Sequence, residues 1–235
     1  LQGFVEHGGS LVDSSPMYGS AETVIGDLVK QLNVQKKLFY ATKVWTSGQR
    51  AGIEQMEQSM RRMKADVIDL MQVHNLLDTD THMKTLYDWK EQGKIRYIGI
   101  THYRVDAFDD LEQVMRKYKL DFVQLCYSIV TREAEQRLLP LARDKGIAIL
   151  VNRPYEKAAL FSKVRSQPLP AWASEFDCHS WGQFFLKFIL ANKDITCVIP
   201  ATSKLKHLVD NMGAGVGKLP DEQTRKKMYK LVVSL

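Results

Sequence analysis

The sequence predicts an α/β protein built on an all-parallel sheet, either doubly wound or closed as a barrel. Short, nearly continuous apolar runs recur along its 235 residues, as in strands buried on both faces. Amphipathic stretches long enough for helices lie between them. No Gly/Ser-rich linker or change of composition marks a second domain, so residues 1–235 are expected to form one.

Taken in order, Phe4 to Gly9 reads as the tail of a helix, and Ser10 to Ser14 as the first strand. Ala21 to Leu32 follows Gly19-Ser20, a plausible cap, and carries Glu22 in its first turn. Leu38 to Trp45 is the second strand. Ala51 to Lys64 places Ile53, Met56, Met60 and Met63 three and four apart, on one helix face. Ile68 to His74 is the third strand. His82 to Gln92 stops at Gly93, which leads into the fourth strand, Tyr97 to His102. The helix Val105 to Tyr118, the strand Phe122 to Tyr127, the helix Glu133 to Lys145 and the strand Ala148 to Arg153 repeat the unit. An irregular insert, Pro154 to Ala173, precedes a helix from His179 to Asn192. The strand Cys197 to Ala201 and helices Ser203 to Met212 and Asp221 to Val233 complete the chain. That is seven strands; a closed (β/α)8 barrel needs eight. The chain opens at Leu1 without a methionine, so the eighth strand is expected to precede it.

Composition excludes several classes. No run approaches the roughly 18 apolar residues of a membrane span, so no membrane partner is expected. The net charge of +6 comes from 33 basic residues interleaved with 27 acids. A nucleic-acid footprint would be a concentrated stripe, so no nucleic acid is expected, while the basic balance suits a phosphorylated ligand. Cys126, Cys178 and Cys197 show no metal-ligand spacing. Cys126 and Cys197 lie in strand-like runs and are expected to be buried packing residues. No metal site is expected.

Functional groups gather at strand ends. The first strand ends at Asp13, with Tyr18 in the loop beyond; the second ends in Thr42-Lys43-Val44-Trp45; the third in Gln72-Val73-His74-Asn75. In βα barrels this is where catalytic residues sit. Each has a plain structural explanation taken singly: a turn aspartate, a loop aromatic, a lysine reaching the rim, a strand-end histidine. Their coincidence on three consecutive strands does not. A buried lysine is costly unless paired, and Asp13 is its natural partner. A phenol is a weak acid at neutral pH, and a neighbouring ammonium makes it a stronger one. Tyr18 beside Lys43 thus reads as a general acid, with Asp13 holding Lys43 and His74 donating a hydrogen bond to the same oxygen. Such a set protonates an alkoxide as it forms, which is half of a carbonyl reduction.

These motifs resemble the aldo-keto reductase superfamily. The resemblance rests on Val12 to Glu22, Ala41 to Trp45, Asp69 to His74, Arg96 to Thr101, Phe122 to Leu125 and Ile199 to Ser203. Within the superfamily the chain is most similar to a bacterial branch whose members often carry a twin-arginine export signal. The resemblance implies a (β/α)8 TIM barrel whose first strand is absent from this chain, and an NAD(P)H-dependent oxidoreductase. It places the catalytic tetrad on Asp13, Tyr18, Lys43 and His74, and substrate contacts on Trp45 and Asn75. It places the nicotinamide amide on Thr101, His102 and Gln124. The ring that commonly stacks on nicotinamide would fall near Asn152, in Asn152-Arg153-Pro154, where an asparagine leaves that contact to a neighbour such as Tyr155. The adenosine phosphate would lie on Pro200, Thr202, Ser203 and Lys204, with His207, Asp210 and Asn211 in the following helix, whose start near Ser203 can receive phosphate. Family members selective for the 2′-phosphate usually place an arginine where His207 stands and a lysine where Ala201 stands. NADPH is the expected cofactor, with NADH possible, and a small carbonyl compound the expected substrate. The alternative is an NADP-binding regulatory or sensor barrel with little turnover. The expected location is cytoplasmic, or periplasmic if an export signal precedes Leu1.

Overall fold

A computed structural model describes residues 1–235. Its elements are α1 (Gln2–Glu6), β1 (Leu11–Asp13), α2 (Ala21–Leu32), β2 (Phe39–Val44), α3 (Gln49–Met63), β3 (Ile68–His74), α4 (Thr79–Glu91), β4 (Ile95–Thr101), α5 (Phe108–Lys117), β5 (Phe122–Cys126), α6 (Leu138–Lys145), β6 (Ala148–Asn152), α7 (Ala159–Lys163), α8 (Trp181–Leu190), β7 (Cys197–Val198), α9 (Leu205–Gly213) and α10 (Glu222–Ser234). The strand order in the sheet is the chain order. The seven strands match the expected ones in place. No helix is long and apolar enough to cross a membrane.

The chain divides into two compact units, the first comprising Leu1–His102 with Asp109–Val123 and the second Tyr103–Phe108 with Gln124–Leu235. In the first unit β1, β2, β3 and β4 pair in parallel, with Ala41 opposite Leu70 and His74 opposite Thr101. All seven residues of β3 are buried, which is why its sequence is apolar without alternation. Helices α2 and α3 approach closely at Gly26, where a Cβ would lie 2.2 Å from the carbonyl oxygen of Arg62. Ser20 occupies the N-cap of α2 but makes no side-chain capping bond. Instead Glu22, buried in the first turn, accepts from the Thr42 hydroxyl at 2.7 Å. Helix α4 begins three residues before the expected His82, behind a left-handed Asp78 whose carboxylate accepts from the Gly48 N–H.

In the second unit β6 pairs with β7 in parallel. Strand β7 stops at Val198, short of the expected Ala201. The Ile199 N–H still donates to Val151, but Pro200 has no N–H to continue the ladder. The helix expected over residues 133–145 breaks into a single 3-10 turn, Glu133–Glu135, and α6. At the break Glu135 binds Arg132, Arg225 and the buried Tyr127 hydroxyl. The insert after β6 is more ordered than expected, holding α7 and a 3-10 segment, Ala171–Phe176. Helix α9 begins at Leu205 with Lys204 at its N-cap, so Ser203 lies ahead of the helix. Of the cysteines, Cys126 and Cys178 are buried, and Cys197, expected in the core, is only half-buried because its strand is two residues long.

Candidate active site and ligand cavity

The strand ends of the first unit gather a polar cluster. The Lys43 side chain is wholly buried on β2, and Nζ donates to Oδ2 of Asp13 and to the Ser14 carbonyl oxygen, both at 2.6 Å. Burying an ammonium is tolerable only with such compensation. The same Nζ lies 5.1 Å from the centroid of the Tyr18 ring. Tyr18 itself is 46% exposed, so the ring lies against the buried cation on one side and is open to solvent elsewhere. Gln72, fully buried on β3, donates from Nε2 to Oδ1 of Asp13 at 3.0 Å. Sequence reasoning passed over Gln72, although a buried amide inside the apolar run 68–74 is as strong a signal as Lys43.

His74 ends β3 and is 5% exposed. Its ring lies edge-on to Tyr18, centroids 6.1 Å apart, and 6.3 Å from the Trp45 ring. Burial, then the Lys43 and His102 charges, push its pKa down to about 4, so the imidazole is neutral near pH 7. Nδ1 meets the hydroxyl of the fully buried Ser15 at 3.2 Å. Trp45 is 40% exposed, and its backbone is gripped by the Gln55 amide, which accepts from its N–H and donates to its carbonyl. Asn75 is left-handed at φ 52 and donates its N–H to the Thr101 carbonyl at 2.8 Å. Its buried Oδ1 has no hydrogen-bond partner. Thr101 is buried beside His74, with His102 following. The structure thus brings Asp13, Tyr18, Lys43, His74, Trp45, Asn75, Thr101 and His102 together.

The second unit holds a cavity of about 700 Å³, lined among others by Arg153, Pro154, Tyr155, Lys157, Phe161, Trp181, Pro200, Thr202, His207, Asp210 and Asn211. Its size suits a small-molecule ligand. Arg153, left-handed at φ 54, lays its guanidinium over the Tyr103 ring at 4.0 Å. Tyr155 donates from its hydroxyl to Oδ1 of Asn211 at 2.7 Å. Asp210 is occupied by the protein, accepting from Ser180 at 2.7 Å and from Gln183 at 3.0 Å. Both Asp210 oxygens are thus engaged by the protein's own donors and do not reach for Arg153 or Lys157. Lys157 and Phe161 were not legible in the sequence, because the insert has no period to read, and Ser180 lines the cavity from the N-cap of α8. Trp181, the first residue of α8, lines the cavity; Trp172 of the insert packs on Phe176 and Phe184 instead. Ser203 and Lys204 are not among the lining residues. Gln124 is buried on β5, and Asn152 ends β6 with a buried Oδ1 that has no partner. An aromatic wall carrying Arg153 and Lys157 fits a phosphorylated ligand.

The profile of the Aldo/keto reductase family matches residues 1–227, running through both units. The chain is 32% identical over 169 residues to the aldo-keto reductase YhdN of Bacillus subtilis (strain 168), covering 64% of this chain and 49% of that protein. It is 28% identical over 195 residues to the NADH-specific methylglyoxal reductase of Escherichia coli (strain K12), covering 70% and 58% respectively. The chain thus spans about half the length of these curated relatives. Among solved structures it is similar to the aldo-keto reductase AKR11C1 of Bacillus halodurans in its holo form. There the TM-score is 0.82 at 22% identity, over 98% of this chain and 85% of that one. An aldo/keto reductase of Klebsiella pneumoniae, solved with NADP and acetate, gives a TM-score of 0.78 at 20% identity over 99% and 83%. At such identities the likeness is one of fold.

Proposed function

Because the chain belongs to the aldo/keto reductase family, we propose that it reduces an aldehyde or ketone to an alcohol with a nicotinamide dinucleotide. When bound, the cofactor supplies the hydride. The observation that carries the reading is the buried Lys43–Asp13 pair with the Tyr18 ring against its ammonium.

Tyr18 donates its hydroxyl proton to the carbonyl oxygen as negative charge develops there. Lys43 lies against the Tyr18 ring, and Asp13 holds its ammonium in place there. Neutral His74 donates a hydrogen bond to the same oxygen and orients the substrate. Trp45 and Asn75 contact the substrate. The carboxamide of the cofactor is assigned to Thr101 and His102, at the end of β4. Its phosphates are assigned to Arg153, Lys157, Thr202 and His207, with Pro154, Pro200, Ser203, Lys204, Asp210 and Asn211 completing the binding set. Arg153, Lys157 and Lys204 among them support NADPH as the preferred form, while a relative named for NADH specificity keeps NADH as an accepted one.

The test is a titration of the protein with NADPH and NADH by calorimetry, followed by a panel of sugar, aryl and aliphatic carbonyls monitored by cofactor oxidation. Saturable binding and oxidation with at least one carbonyl are expected. Absence of binding at millimolar concentration of either cofactor overturns the reading.

A further inference from the structure

We propose that Ser15 is a positioning residue that sets the tautomer of His74, making Nδ1 an acceptor and leaving Nε2 as the N–H donor toward substrate. The proposal rests on the reading of His74 as the donor that orients the carbonyl.

The argument is a count of donors and acceptors. Ser15 is fully buried, so its hydroxyl proton needs an acceptor inside the protein. A serine hydroxyl offers one donor and two acceptor sites. Only two groups lie within reach of Ser15 Oγ. The Met17 N–H, at 3.4 Å, can only donate, and occupies an acceptor site. The other is Nδ1 of His74, at 3.2 Å. The hydroxyl proton therefore points at Nδ1, and Nδ1 accepts it.

A neutral imidazole carries one proton, so an accepting Nδ1 places it on Nε2. The ring is neutral because burial and the Lys43 charge disfavour a second proton. Nε2 has no hydrogen-bond partner within the protein, and among the buried polar atoms lacking partners the Nε2 of His74 does not appear. It is open to an incoming ligand. The loop makes the arrangement local: Ser15 lies two residues past Asp13, so one short segment places both the partner of Lys43 and the tautomer switch of His74. Without the Ser15 hydroxyl, either nitrogen can carry the proton. The Nδ1–H form then presents a lone pair to the carbonyl oxygen in place of a donor.

The experiment is two-bond proton–nitrogen correlation NMR of the histidine rings at pH 7 on the uniformly labelled protein, with His74→Gln used to assign the signal. The Nε2–H pattern is expected for His74 in the wild type. An Nδ1–H pattern or an even mixture overturns the proposal, whatever the enzyme's activity. In Ser15→Ala the pattern should become mixed and kcat/KM for any accepted carbonyl should fall about tenfold or more, with the NADPH Kd changed less than twofold. Ser15→Thr, which keeps the hydroxyl, should restore the Nε2–H pattern. A Ser15→Ala protein that folds and retains a pure Nε2–H signal overturns the proposal, because another group would then hold the tautomer. Failure to reduce any carbonyl would count against the proposed function and leave the tautomer result standing on its own.

Discussion

Gln72 donates to Oδ1 of Asp13 at 3.0 Å, while Lys43 holds Oδ2 of the same carboxylate at 2.6 Å. Both oxygens of a nearly buried carboxylate are thus hydrogen-bonded from neighbouring strands, which keeps the anion in one rotamer facing the ammonium. Room for Gln72 comes from Gly99 on the adjacent strand β4, where a Cβ would stand 3.0 Å from Cγ of Gln72.

Replacing Gln72 by leucine should loosen that carboxylate. We predict a loss of about 1–3 kcal/mol in stability, the cost of leaving a buried acceptor short of a donor, with kcat lowered about tenfold. Urea unfolding and steady-state kinetics measure the two. A Gln72→Leu protein as stable and active as wild type would show that Asp13 is held by other means.

Tyr18→Phe removes only a hydroxyl from a half-exposed ring. If that hydroxyl supplies the proton, kcat should fall about 10²–10⁴-fold, the usual size of general acid catalysis, with cofactor affinity nearly unchanged. Single-turnover reduction by wild type and variant tests this. A variant keeping more than about a third of the wild-type rate, with chemistry limiting, moves the proton to another group, His74 first.

Lys43→Met should damage both chemistry and fold. It leaves Asp13, whose side chain is 7% exposed, without its cation, and breaking such a buried pair typically costs about 3–5 kcal/mol. Lys43→Arg should not restore activity, since a planar guanidinium cannot occupy the point position of the ammonium. Denaturation midpoints for the two variants, compared with Asp13→Asn/Lys43→Met, check whether the loss is the orphaned charge: the double variant should recover part of it.

Acid should destabilise the protein through His74. Its pKa is about 4 in the fold against 6.5 for an ordinary histidine, so between those values the unfolded chain binds more protons than the native one. The sign follows: the contribution is fully present above about pH 6.5 and is lost as pH falls toward 4, to a limit of about 3 kcal/mol. Urea titrations at pH 7.5 and 4.5 should show a smaller difference for His74→Gln than for wild type. Equal differences would mean that other groups carry the acid response.

Gly26→Ala forces α2 and α3 apart, because the new methyl meets backbone: the Arg62 oxygen at 2.2 Å and the Met63 carbonyl carbon at 2.9 Å. The gain in helix propensity, about 0.5–1 kcal/mol, should be outweighed by an overpacking loss of about 1–3 kcal/mol. Thermal unfolding of the variant at or above the wild-type midpoint would refute the close approach.

The order of strands and helices was legible in the chain itself, because strands buried on two faces must be continuously apolar and helices on one face must repeat every three to four residues. Ile68 to His74 and Ala21 to Leu32 have the bounds that their patterns predict. So was the polar cluster: a lysine inside an apolar strand demands a nearby carboxylate, and Asp13 is that partner. Where pattern was absent, only tertiary structure decided. Glu135, beside the break that Pro140 imposes ahead of α6, reaches Arg225, 90 residues away, a contact that only the folded chain creates. The cavity wall at Lys157 and Phe161 lies in a segment without period. The roles of Gln72 and Ser15 depend on which buried donor meets which acceptor. Gln72 and Asp13, like Ser15 and His74, stand 59 residues apart, and a distance of that kind exists only once the chain has folded.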